Sequence, residues 1–179
     1  DKAFYECSSL SSIILPKNIT SISYGAFARC KSLSSINLPD NITSINDKSF
    51  YDCSSLSSIN LPKNIISINL NSFYGCSSLT SINIPENVAS IRGVALKGCI
   101  NLEEITVSSS NLHYKSIEGV LFNKDGSELI RYPSGKKEES YSIPPNVTII
   151  GNSVFYECNS LTSITLPSNI TSIGNSVFY

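Results

Sequence analysis

The residues able to do chemistry are few, and their spacing is unusual. Cysteines stand at 7, 30, 53, 76, 99 and 158, the first five at intervals of 23 residues. An even count invites a disulfide reading. Equal spacing argues against it: cysteines on stacked coils form one column about 4.8 Å apart with parallel side chains. Parallel Cβ vectors do not suit a bridge torsion of about 90°, so six free, buried thiols are expected. Zinc would need paired ligands, whereas His113 is the only histidine and no CxxC pair occurs. His113 lies in an irregular stretch with no partner and reads as a solvated loop residue. Glu103 and Glu104 are adjacent carboxylates, but strand neighbours point to opposite faces and make a poor acid–base pair. With no phosphate-cradling glycine loop and no nucleophile elbow, neither an enzyme nor a bound cofactor or metal is expected.

The elements that position these residues are copies of one unit. In KSLSSINLPDNITSINDKSFYDC (residues 31–53) the framework is Leu33, Ile36, Leu38, Pro39, Asn41, Ile42, Ile45, Phe50 and Cys53, and it recurs 23 residues earlier and later. A fixed period of this length marks a solenoid, whose units bury their apolar sides against neighbours. Ile36 and Leu38 alternate with Ser35 and Asn37, the signature of a strand with one buried face. Pro39 cannot donate to a ladder and ends the strand. Asn41 suits the turn that follows, where its amide can bond nearby backbone. Ile42 and Ile45 return to the core from the opposite wall, Phe50 fills the wider end, and Cys53 closes the unit as a small buried hydrophobe.

The spacing Leu-x-x-Ile-x-Leu resembles the leucine-rich repeat. The longer signature L-x-x-I-x-L-P-x-N-I-x-S-I-x-x-x-x-F-x-x-C is similar to the BspA-like leucine-rich repeat family, with 23-residue repeats of the Treponema pallidum type, and it runs through the whole chain. The resemblance implies a repeat solenoid: a right-handed, β-rich coil with little helix, about seven stacked coils and one β-hairpin insertion. It also implies surface proteins of mucosal bacteria and protist parasites.

The expected units are residues 8–30, 31–53, 54–76, 77–99, an irregular 100–158, and a truncated 159–179. The fourth drifts, with Leu96 at the phenylalanine position and Arg92-Gly93 in place of a blander pair. Within 100–158, Val107 and Ile143 play the same role 36 residues apart, so about 13 residues are extra. Residues 117–122 and 128–132 are strand-like, and Asn123-Lys124-Asp125-Gly126 supplies turn chemistry between them. The expected insertion, 108–142, is therefore a hairpin followed by an exposed loop at 134–139. The first residues, DKAFYEC, read as the last third of a unit, and Tyr179 stops two short of the next expected cysteine. The chain thus reads as an excerpt of a longer array, with cut ends inviting end-to-end self-association.

Composition bounds the partners. Thirteen basic and 14 acidic residues give a net charge of −1, with no basic stripe to neutralise phosphates, so nucleic acid is not expected. No apolar run approaches bilayer length and no charged-then-apolar leader is present, so membrane insertion by this segment is not expected either. Four sequons begin at Asn18, Asn41, Asn146 and Asn169. The turn itself calls for asparagine there, and glycosylation would matter only on a secretory route.

Surface remains as the place for function. Ser35, Asn37, Ser58, Asn60, Ser81, Asn83, Glu104 and Thr106 form two columns on the expected concave face, hydrogen-bond-rich and nearly uncharged. The insertion adds His113, Tyr114, Arg131 and Tyr132, of types that anchor interfaces. Together they suggest a non-enzymatic recognition or adhesion module that binds protein or glycan at a cell surface or in secreted form. The alternative is a cytoplasmic scaffold, which free thiols would suit equally.

Overall fold

In a computed structural model describing residues 1–92 and 94–179, the two apolar spacings of each unit become two walls of a coil. Gly93, half of the Arg92-Gly93 departure, lies outside the described residues. The strands are β1 (Ser21–Ile22), β2 (Ser35–Asn37), β3 (Ser44–Ile45), β4 (Ser58–Asn60), β5 (Ser67–Ile68), β6 (Ser81–Ile84), β7 (Ser90–Ile91), β8 (Glu104–Val107), β9 (Tyr114–Ile117), β10 (Val120–Asn123), β11 (Glu128–Arg131), β12 (Ser140–Ser142), β13 (Ile149–Ile150), β14 (Ser163–Thr165) and β15 (Ser172–Ile173). They build a β-solenoid of about seven turns, without helix among the described residues.

Leu-x-x-Ile-x-Leu makes the first wall from parallel pairs β2–β4, β6–β8 and β12–β14, with Ile14 bridging to Asn37. Serine and isoleucine at the far side make the second wall, where β1, β3, β5 and β7 pair in parallel, Ile22 to Ile45 to Ile68 to Ile91. Every step is one repeat, so like residues stack on like. Phe4, Phe27, Phe50 and Phe73 stack nearly parallel with ring centroids 5.1–5.5 Å apart, and Leu96 then ends that pile, as the sequence requires. The turn asparagines reach farther than their own turn: Asn41, Asn64 and Asn87 each donate Nδ2 to a carbonyl 24 residues back, at 2.8–2.9 Å.

The cysteines line up beside the phenylalanines. The thiols of Cys30, Cys53, Cys76 and Cys99 each donate to the carbonyl of the phenylalanine 26 residues earlier, at 3.0–3.2 Å. These four are buried and all six are unbridged, but Cys7 in the first coil is exposed and Cys158 half-buried. Burial of the thiol column is therefore a property of the inner coils, not of the cysteine position.

Residues 108–142 depart from the expected hairpin in one respect. Glu118 and Gly119 both adopt positive φ, 52° and 80°, the geometry of a two-residue hairpin turn. They split the expected strand 117–122, so β9 folds back on β10, Ile117 against Val120 and Tyr114 against Asn123. β10 turns again through Asn123, whose Oδ1 accepts from the backbone N–H of Gly126 and Glu128. It pairs antiparallel with β11, and β11 then runs parallel to β13, so the meander rejoins the second wall. The two cores of the molecule meet here. Leu121 packs with the core of the preceding coils, while Val120 and Phe122 pack with Tyr132, Val147 and Phe155 of the following ones.

One further point corrects the sequence expectation, and another lies outside it. The loop 134–139 is not wholly exposed, since Ser134 and Gly135 are buried with Arg131 and Tyr132. Asn111 stands 23 residues after Val88, at an apolar position, and is fully buried. It donates Nδ2 to the carbonyls of Pro85 and Val88 and accepts at Oδ1 from the N–H of His113 and Tyr114.

Candidate functional site

The first wall presents what its alternation dictates. Ile36, Ile59, Ile82 and Ile105 point inward, so Ser35, Ser58, Ser81 and Glu104 share one outward column. Asn37, Asn60, Asn83 and Thr106 share the next, and Thr106 donates its hydroxyl to Asn83 Oδ1 at 3.0 Å. All eight side chains are exposed. Ile14 heads the second column at 97 % exposure, an apolar residue in an amide row. The columns continue beyond the insertion as Ser140 and Ser163, and as Ser142 and Thr165. Between β8 and β12 the face is filled by the Glu118–Gly119 turn. There Ile105 N–H donates to the Gly119 carbonyl at 2.8 Å, Ser116 Oγ donates to the Ile105 carbonyl at 2.6 Å, and Lys136 reaches the Glu118 carbonyl at 3.1 Å.

The insertion candidates divide. His113 is exposed beside Leu112, itself 77 % exposed, and Tyr114 is half-buried. Tyr114 Oη accepts the N–H of Ile91 at 3.0 Å, so its phenol satisfies one donor on the edge of β7. Arg131 and Tyr132 are not surface residues; they are 5 % and 1 % exposed. The reason is the repeat itself: Tyr132 lies 23 residues before Phe155 and takes the stacking position, its ring 5.4 Å from that of Phe155. Arg131 bonds the carbonyls of Ser153 and Tyr156 and the Ser134 hydroxyl. Among the described residues no carboxylate lies within salt-bridge distance of its guanidinium, and burial pulls its pKa down. Burial pushes the thiols of Cys99 and Cys158 up to about 12 and about 11, with the Arg131 charge pulling against both.

His113 and Tyr114 come together with β7 and β11 around a cleft of about 390 Å³ in the second wall. Glu128, Asn123 and Asn152 supply its polar lining, and Ile91 and Ile130 its apolar part. No group of three or more His, Cys, Asp or Glu side chains placed to hold a metal occurs among the described residues. Two of the sequon asparagines spend their amides on the fold: Asn41 Nδ2 donates to the Lys17 carbonyl, and Asn146 Nδ2 to that of Gly126.

A column absent from the sequence expectation runs next to the phenylalanines. Tyr51 stacks on Tyr74 at 4.9 Å and Tyr156 on Tyr179 at 5.2 Å, with Lys97 Nζ 3.8 Å from the centroid of Tyr156. The signal was the dipeptide Phe-Tyr, at 4–5, 50–51, 73–74, 155–156 and 178–179. Its second member escapes a framework built on buried positions, because only Tyr156 of the five is buried.

The BspA type leucine rich repeat region matches in six copies over residues 1–125 and 134–179. A leucine-rich repeat protein from Eubacterium ventriosum is 29% identical, with a TM-score of 0.82 over 94% of this chain and 51% of its own. A leucine rich cell surface protein from Faecalibacterium prausnitzii is 30% identical, with a TM-score of 0.81 over 96% of this chain and 52% of its own. The T. pallidum leucine rich repeat protein is 27% identical, with a TM-score of 0.62 over 99% of this chain and 66% of its own. The chain thus spans about half the length of the first two. No curated protein matches it. Repeat, stack and neighbours agree: the chain belongs to the BspA-type leucine-rich repeat family.

Proposed function

We propose that this chain is a non-enzymatic recognition module of a cell-surface protein, engaging an extended protein or glycan partner across its first wall. The observation that carries the reading is the pair of exposed columns, Ser35–Ser58–Ser81 and Asn37–Asn60–Asn83, held in register by the strands beneath. Rows of small donors and acceptors on a rigid face suit a partner that is itself extended, and many weak contacts add through avidity. The F. prausnitzii neighbour, described as a cell surface protein, supports the location. Among the described residues no helix is long and apolar enough to cross a membrane. Selectivity is assigned to the exposed corner Leu112–His113, not to the buried Arg131 and Tyr132. A second reading, an intracellular scaffold, draws on the six unbridged thiols.

The test replaces Asn37, Asn60 and Asn83 together by arginine and measures binding to immobilised matrix proteins and mucin glycans. All three side chains are exposed, so circular dichroism should be unchanged. A loss of about tenfold or more is expected from three blocked contacts; unchanged binding would remove the first wall from the account.

A further inference from the structure

We infer that the cleft at the insertion is a docking site for an extended peptide of a partner protein, which enters as a parallel strand on the open edge of β7. The ladder of the second wall defines the occupant. In the regular coils two backbone N–H groups three residues apart donate to two carbonyls of the preceding coil: Thr43 and Asn46 to Thr20 and Ile22, Ile66 and Asn69 to Thr43 and Ile45, Ala89 and Arg92 to Ile66 and Ile68. Beyond the insertion the ladder resumes, with Thr148 and Gly151 donating to Ser127 and Leu129. At the join it lapses. Among the described residues no N–H donates to the carbonyl of Ala89 or Ile91, and both residues line the 390 Å³ cleft.

Tyr114 answers only one group on this edge, the Ile91 N–H, and leaves the two acceptors open. A strand edge with open acceptors binds extended peptide through main-chain bonds, with side-chain pockets giving selectivity. Here the far wall offers the Glu128 carboxylate and the Ile130 side chain, so the occupant carries a basic residue beside an apolar one. The cleft lies in the second wall, away from the serine and asparagine columns. The inference stands or falls separately from the columns that carry the proposed function, and shares only His113 with the corner to which selectivity is assigned.

The probe is the capped peptide Asn-Ile-Ile-Ser-Ile-Asn, the sequence of residues 64–69, which makes this same pairing two coils earlier. Titration into the full chain should shift the amide resonances around Ala89 and Ile91. Methylating the peptide nitrogens at its third and sixth residues removes both donors and should weaken binding about thirtyfold. Lysine in place of its serine should tighten binding severalfold, and Glu128→Gln should cancel that gain. Ala89→Trp, at an exposed position, should block the cleft with the circular dichroism spectrum intact. Equal binding of the methylated peptide, or of the parent peptide to Ala89→Trp, overturns the inference. So does a response at these amides to methyl glucoside with none to the peptide, which would make the cleft a sugar site.

Discussion

Two regions of this solenoid solve the same problem, satisfying polar groups inside a narrow coil, by different means. In the regular coils up to Cys99 the solution is repetition. Asn41, Asn64 and Asn87 each bond one carbonyl a coil away, at the surface, where water stands ready to replace the bond. In the insertion the solution is concentration. Asn111 alone serves four backbone groups from inside the core, and Arg131 gathers two carbonyls and a hydroxyl. Repetition spreads the cost of any one change over many equivalents, whereas concentration puts several bonds on one residue.

The largest effect should come from the regular core. Phe50, fully buried between two stacked rings, should cost about 3–5 kcal/mol on change to alanine, read by urea denaturation. A cost near 1 kcal/mol would mean that the stack relaxes into the space. Next comes the contrast of asparagines. Asn111→Ala strands two buried carbonyls and two half-buried N–H groups and should cost about 3 kcal/mol, against about 1 kcal/mol for Asn41→Ala. Similar costs at the two sites would erase the distinction between the regions.

The thiol column offers a pH test. Burial pushes Cys53 from an ordinary 9.0 up to about 12, so the folded state holds the neutral thiol while the unfolded chain ionises. Its contribution is complete below about pH 9 and is lost as pH rises toward 12, by about 1.4 kcal/mol per unit. Denaturation midpoints in alkaline buffers should show this slope, and Cys53→Ala should reduce it. Smaller still, Asp52 and Glu118 both hold φ near +55°, at 58° and 52°, where glycine is at ease. Glycine at either site should stabilise by about 1 kcal/mol; a gain at one alone would show unequal strain in the two regions. Smallest is Tyr132→Phe, which removes a buried hydroxyl with no partner. It should be neutral or stabilising by under about 1 kcal/mol, opposite in sign to Phe50→Ala.

Which parts were legible from sequence follows from the same contrast. The walls, the phenylalanine pile and the turn asparagines were legible because each is written several times over, and one ambiguous residue is corrected by its copies. The insertion is written once. Glu118-Gly119 reads as strand interior until its dihedrals are known, so β9 was missed. Tyr132 looked like a free aromatic because the extra residues hide its distance from the preceding phenylalanine positions; counted backward from Phe155 it falls on the period. The exposed columns followed from alternation alone, but the cleft depends on which ladder bonds lapse, a property of the path between coils.

The strand β10, with Leu121 in one core and Val120 and Phe122 in the other, acts as a domain wall in a one-dimensional lattice. In a stack coupled only to nearest neighbours, unfolding advances as a front, one coil at a time. A front arriving from either side meets a strand whose opposite face is still held, so it must open both cores together or halt. Native-state hydrogen exchange should therefore divide the molecule into two blocks, with the amides of β10 among the last to exchange in each.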